Sequence, residues 1–345
     1  MKSLALKRLC AQLVDRSGAS RVVLGLRARL GSPWLTVLTY HRVLDGPEDR
    51  FDDGVVDATP AAFSEQVEFL ARHFTFVGID DLCRRARGGS LPKNPLLITF
   101  DDGYRDNYRE VLPILQRHGA RAAFFIATSF VSERRVFWWD RISYAVKRSR
   151  RTRIQLRVPA PLAVDLDGVA ARRRAIQVLT RLIKNQFALD VPAYLADIDR
   201  ACDVEWTPAL ERSIADELVM TWDEVRALAA AGMDVESHTR THRLLHLLPI
   251  EEVDTELRGS SDDLLREIGR RPRAISYPVG HAIAGRPGLC AAVRDAGYEL
   301  GFPNCAGVNY TSARLDAWNV RRLPIDLEIE KAHFRGVVAI PNLGF

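Results

Sequence analysis

The chain has 345 residues, of which 47% are hydrophobic and 27% charged, enough to bury one large barrel or two smaller domains. Its five cysteines, Cys10, Cys83, Cys202, Cys290 and Cys305, are odd in number, scattered and without a C-x-x-C pair, which excludes a disulfide framework and a zinc knuckle and fits a reducing compartment. The formal charge of +5 is mild; it favours an anionic neighbourhood without choosing between membrane surface, acidic polymer and nucleic acid.

Residues 1–30 hold seven Lys or Arg against one acid, with Leu and Val interleaved, and contain no apolar run long enough for a signal-peptide core or a membrane span. This basic segment, taken as 1–33, reads either as an amphipathic helix on an anionic membrane face or as a solvated helix packed outside the fold. From 34 onward, short apolar runs alternate with helical patterns, the signature of β/α units around a parallel sheet or barrel. Strands are expected at 34–40, 74–78, 96–100, 122–127, 233–237, 274–277 and 298–302, and amphipathic helices at 59–73 and 104–119, where Leu, Val and Ile recur at helical spacing. The fold class is therefore α/β, a small or incomplete (β/α) barrel of about seven parallel strands spanning 34–345. The alternation breaks at about 132–219, which reads as a mostly helical insertion. Its basic cluster (Lys147, Arg148, Arg150, Arg151, Arg153) is either a solvated charge run or a phosphate or lipid contact, and it lacks any nucleic-acid recognition motif.

In such a barrel, functional residues are expected just after strand C-termini, where loops converge on one face. Three strand ends qualify. The strand at 96–100 delivers Asp101 and Asp102, then Gly103 for a tight turn; two adjacent carboxylates need a cation or an arginine nearby if both are to stay charged. A helix N-cap accounts for one of them, not both. The strand at 233–237 delivers His238, with His242 four residues on; on a helical turn these would share a face and converge on one metal ion. His246 continues the spacing as a rival ligand, but a carboxylate is the better third donor. The strand at 274–277 runs into Pro278, Val279 and Gly280, a shaped turn able to aim a backbone N–H at an oxyanion. A fourth stretch, TVLTYHRV at 36–43, ends an apolar strand on His41 and Arg42; alone, it would be a structural histidine at a strand end.

Taken together and in order, TFDDG at 99–103, SHTRTH at 237–242 and the YPVG turn at 277–280 resemble the motifs of the polysaccharide deacetylases, the NodB-homology family or carbohydrate esterase family four. The resemblance covers about 34–325 apart from the insertion. It implies a metal-dependent hydrolase in which Asp102, His238 and His242 hold one divalent ion, zinc being expected, Asp101 is the general base, and Val279 N–H shares the oxyanion. The late histidine that the family usually uses as general acid has no match: His333, in EIEKAHFRG, lacks the preceding apolar strand. A variant of the family, resembling the poly-N-acetylglucosamine deacetylases, has permuted motifs with the acid histidine first, in a strand like TVLTYHRV, which makes His41 the acid. It also places a late arginine on the base, here Arg322, with Arg321 the weaker choice.

The substrate so implied is an N-acetylated amino sugar in a polysaccharide, oligosaccharide or lipid-linked precursor. Two alternatives stay open, an amidohydrolase for a non-sugar amide and a non-catalytic scaffold of envelope polysaccharide assembly. Trp138 and Trp139 are either a sugar-stacking platform or aromatic core at the root of the insertion. With no export signal visible, the expected location is the cytoplasm, with peripheral contact at the inner membrane face in view. Oligomeric state is not encoded in any motif.

Overall fold

The computed structural model describes residues 12–31, 34–46, 49–283, 285–311 and 314–341. The strands are β1 (Trp34–Tyr40), β2 (Arg42–Val43), β3 (Val56–Ala58), β4 (Thr75–Phe76), β5 (Pro95–Phe100), β6 (Ala122–Ile126), β7 (Arg153–Leu156), β8 (Leu162–Asp165), β9 (Asp234–Ser237), β10 (Ala274–Ser276), β11 (Leu300–Phe302), β12 (Asn309–Tyr310) and β13 (Leu323–Pro324). The main sheet runs β11-β10-β9-β6-β5-β1-β12, with β4 beside β5 and β13 beside β1. All its pairs are parallel except β1 with β12. Such a sheet needs a crossover between successive strands, and the expected helices supply it: Pro60–His73, for example, starts at Thr59, whose side chain accepts from Ala62 N, with Pro60 in the first turn.

The sheet curls into an incomplete barrel, as the sequence led us to expect. Its two edges are drawn together by an irregular segment after β12. There Gly301 N donates to Ala317 O and Val320 N to Gly301 O, while Leu323 and Pro324 pair with Leu38 and Thr39 of β1. Strand alternation sorts the core. One face carries Leu35, Val37, Leu97, Ala123, Phe125, Ala274, Leu300 and Phe302; the opposite face carries Leu38, Tyr40, Leu96, Ile98, Phe100, Phe124 and Ile126 against the surrounding helices. Tyr40 belongs to the second set, stacked on Phe100 with its hydroxyl donating to Gln66 Oε1 at 2.8 Å.

Between β6 and β9 lie the helices Thr128–Glu133, Trp138–Arg148, Gly168–Asn185, Val191–Cys202, Pro208–Leu218 and Trp222–Ala230, and also the antiparallel hairpin β7–β8, which the helical reading of this stretch did not include. Part of the basic cluster is used internally: Lys147 donates to Phe51 O, Arg148 lies over the Tyr144 ring and Arg151 pairs with Asp203. Residues 1–11, and with them Cys10, fall outside the described residues. The helix Ala19–Leu30 packs on the helix Lys331–Ala339. No helix among the described residues is long and apolar enough to cross a membrane.

Candidate active site

The register of the sheet sets Tyr40 level with Phe100, Phe100 with Phe124, Ile126 with Ser237, and Ser276 with Phe302, so the residues that follow share one rim. Parity then decides which of them point inward. Thr39 and Thr99, whose hydroxyls are 3.0 Å apart, continue the face of Val37 and Leu97, and Asp101 is two residues beyond Thr99.

Asp101 is 3% exposed and lies against Arg322, which is fully buried. The pair is bidentate, with Nη1 to Oδ1 at 2.8 Å and Nη2 to Oδ2 at 2.9 Å. Ser276 Oγ also donates to Asp101 Oδ2, and Arg322 Nε donates to Pro303 O. Burial alone would raise the Asp101 pKa, but the adjacent guanidinium prevails and holds it below the usual carboxylate range. Arg321 faces elsewhere, its backbone N–H donating to Asn309 Oδ1 and its side chain lying against Gly307.

Asp102, with φ 78°, turns its carboxylate away from this pair and toward two imidazoles. Asp102 Oδ1 is 3.4 Å from Nε2 of both His238 and His242, and one ligand atom from each of the three lies within 4.8 Å of the others. The histidines converge on a loop and not on the helical turn expected from their spacing. Thr239 and His242 have φ of 63° and 54°, and His242 N donates back to Thr239 Oγ1. Glu256, on the helix Ile250–Ile268, braces this loop by accepting from Arg240 N at 2.9 Å and Thr241 N at 2.8 Å.

The three side chains fit a divalent cation on their own chemistry. His238 Nδ1 is 2.8 Å from Ser276 O, a contact that places a proton on Nδ1, so that the neutral tautomer offers its Nε2 lone pair to a cation. Burial pushes the His242 pKa down to about 4, so that ring is neutral. Two imidazole nitrogens and a carboxylate oxygen converging in a buried pocket are the donor set a divalent cation takes. The expected rival His246 is not part of this group; its ring packs 4.7 Å from that of His281.

His41 lies on the same rim, 25% exposed toward the cleft, with Nδ1 3.0 Å from Asp57 Oδ2. Its backbone N–H donates to the same oxygen. Burial lowers the His41 pKa, but the charge and hydrogen bond of Asp57 outweigh it and bring it to about 9. Asp57, in β3, is a functional residue that motif reading missed; the available signal was a lone carboxylate inside the apolar stretch VVDA. The segment carrying His41 is also fixed from behind. Asp106 Oδ2 takes Arg42 Nε at 2.9 Å, Asp106 Oδ1 takes Val43 N, and Asn107 Nδ2 donates to His41 O. Asn107 opens a π-helical turn (Asn107–Val111), a local irregularity common at functional sites. Arg42, through Asp106, therefore helps to secure the chain that follows the histidine.

These groups share one open cleft of about 220 Å³ lined by His41, Asp101, Asp102, His238, His242 and Val279, with Trp138, Trp139 and Lys184 contributed from the insertion. Val279 has φ 60°, and the next residue must be glycine: a Cβ on Gly280 would sit 2.1 Å from Asn304 Cβ. Trp138 and Trp139 are 3% and 5% exposed, and the Trp139 ring is 4.5 Å from that of His242, so they act as packing behind a ligand more than as an open platform. His333 lies on the helix Lys331–Ala339 and does not line the cleft.

Comparison with known proteins finds relatives that share this fold. A family model described as polysaccharide deacetylase matches residues 88–156 and 189–301. The structure of Streptococcus pyogenes deacetylase PplD in complex with acetate superposes with a TM-score of 0.56 at 17% identity, covering 87% of this chain and 96% of that one. The structure of IcaB from Ammonifex degensii gives 0.55 at 19% identity, covering 90% and 97%. Among curated sequences, Bacillus subtilis YxkH is 52% identical over 31 residues, a match spanning 9% of this chain and 11% of that relative.

Proposed function

The chain belongs to the polysaccharide deacetylase family, and from this we propose that it is a polysaccharide N-deacetylase, a metal-dependent hydrolase releasing acetate from N-acetylated amino sugars of a glycan. The observation that supports this reading is one cleft holding a buried Asp-His-His donor set between an arginine-bound carboxylate on one side and a carboxylate-bound histidine on the other.

Asp102, His238 and His242 would hold the ion, and the mixed nitrogen and oxygen set suits zinc. When bound, it supplies Lewis acidity to the acetyl carbonyl and to the attacking water. Asp101 accepts a proton from that water as its oxygen bonds to the carbonyl carbon. Held ionised by Arg322, Asp101 is a weak base, adequate only for an acidified water, so the pair and the donor set need each other. Val279 N–H faces the developing oxyanion. When the C–N bond breaks, His41 gives its Nε2 proton to the departing amine, with Asp57 on Nδ1 keeping the ring oriented and protonated at neutral pH. The products are acetate and a free amino sugar.

The test is acetate release from N-acetylglucosamine oligomers, compared with small non-sugar acetamides, alongside metal analysis of purified variants. Asp102→Ala should lose both metal and activity; Asp101→Asn should keep the metal and lose turnover by about 10²-fold or more. Loss of metal from Asp101→Asn would overturn the division of roles, and equal turnover of small acetamides would remove the glycan from the assignment.

A further inference from the structure

We propose that the outer face of the helix Ala19–Leu30 seats this enzyme on an anionic lipid bilayer, with the catalytic rim turned away from the membrane. The inner face of the helix is locked. Ser20, Leu24 and Arg27 are buried, and the Arg27 guanidinium donates to Val338 O at 2.8 Å and Ala339 O at 2.9 Å while lying over the rings of Trp34 and Phe74. The orientation of the opposite face is therefore set by the fold and not by solvent.

That opposite face is apolar and cationic. Val22, Leu26 and Leu30, at successive fourth positions, form one stripe and are 64%, 51% and 81% exposed. Arg29 and, further round, Arg21 border one side of the stripe, and the helix contains no acidic residue. Among the described residues neither guanidinium has a carboxylate partner. Just before the helix, Leu13 is 55% exposed, and the acid there, Asp15, is occupied by Ser20 Oγ at 2.6 Å and faces Arg335. A helix with exposed leucines, bordering arginines and no acid complements a surface that is apolar beneath and negative above, which is an anionic bilayer interface.

The orientation follows from where the helix is fastened. Arg29 O accepts from Lys93, just ahead of β5, and Arg27 reaches Thr36 near the start of β1. The helix thus sits at the N-terminal ends of strands whose C-terminal ends carry His41 and Asp101, about 20 Å away for a strand of this length. A cleft at that distance reaches glycan extending beyond the headgroups.

The experiment is co-sedimentation of the full chain with phosphatidylcholine vesicles, with and without phosphatidylglycerol. The wild type should bind the phosphatidylglycerol vesicles and release as salt is raised. Combined Val22→Ser, Leu26→Ser and Leu30→Ser should weaken partitioning by about tenfold or more. Arg21→Glu with Arg29→Glu should abolish the preference for the anionic lipid. Both variants should keep wild-type unfolding temperature and turnover of soluble oligomers. Absence of wild-type binding, or undiminished binding by both variants, overturns the proposal. So does conversion of a dimer to a monomer by the serine variant without any vesicle binding by the wild type, which would assign the face to a second copy of the chain.

Discussion

At the scale of single residues, the site is organised by two carboxylates, each paired with a cationic side chain. Arg322 holds Asp101 charged, and Asp57 holds His41 protonated, so the proposed base and acid start in opposite ionisation states in one cleft. The sign of the His41 effect is testable. Its folded pKa, about 9, lies above the ordinary histidine value, so the acid is fully charged below about 6.5 and is lost as pH rises through 9. The fold gains stability from the pair over that same lower range and loses it on the way up. Asp57→Asn removes the two largest influences that raise the pKa, leaving the smaller ones of Asp102 and Asp101 against the burial that lowers it. The alkaline limb of the kcat/KM profile should then move down by about two pH units or more, with roughly tenfold lower activity near pH 7.5. An unmoved alkaline limb would mean that His41 is not the proton donor.

At the scale of elements, the histidine loop 238–242 shows how spacing can point to the right residues for the wrong reason. H-x-x-x-H suggested one face of a helix, but β9 ends at Ser237 and left-handed Thr239 and His242 fold the two rings together without a helical turn. A loop in that conformation needs external support, and Glu256 provides it by accepting three donors from Arg240 and Thr241. Glu256→Ala should leave those backbone donors unpaired and weaken metal binding by about 10- to 100-fold, read by competition against a chromophoric chelator. Unchanged affinity would show that the loop holds its shape without the glutamate.

At the scale of the whole molecule, the proposed metal ligands come from β5 and β9, the proposed acid from β1, the proposed oxyanion turn from β10 and the arginine clamp from the segment ahead of β13. The donor set therefore exists only in the folded chain, and a bound ion must stabilise the fold. Metal at about 100 times its Kd should add about 2.7 kcal/mol. A chelator should accordingly lower the Tm of the holoenzyme by a few degrees, reversibly, and Asp102→Ala should show no such response. A chelator-independent Tm in the wild type would count against the Asp-His-His site.

What the sequence by itself determined was local: the positions of the strands, the residues at their C-terminal ends, and so Asp101, Asp102, His238, His242, Val279 and His41. Alternation of apolar residues and the chemistry of short motifs act over a few residues, and a linear reading captures them. The expected strand at 74–78 shortened to Thr75–Phe76, the part paired in register with Pro95 and Leu96 of β5, with a last hydrogen bond from Val77 N to Leu96 O. The tertiary structure alone decided which distant groups complete each motif. Arg322 reaches Asp101 because the irregular segment crosses the open edge of the barrel. Asp57 reaches His41 through the pairing of β2 with β3, and Trp139 reaches His242 from within the insertion. Those contacts join residues between 16 and 221 positions apart in the chain. Their energies depend on burial and on a shared low-dielectric environment, which arise only when the sheet closes on itself.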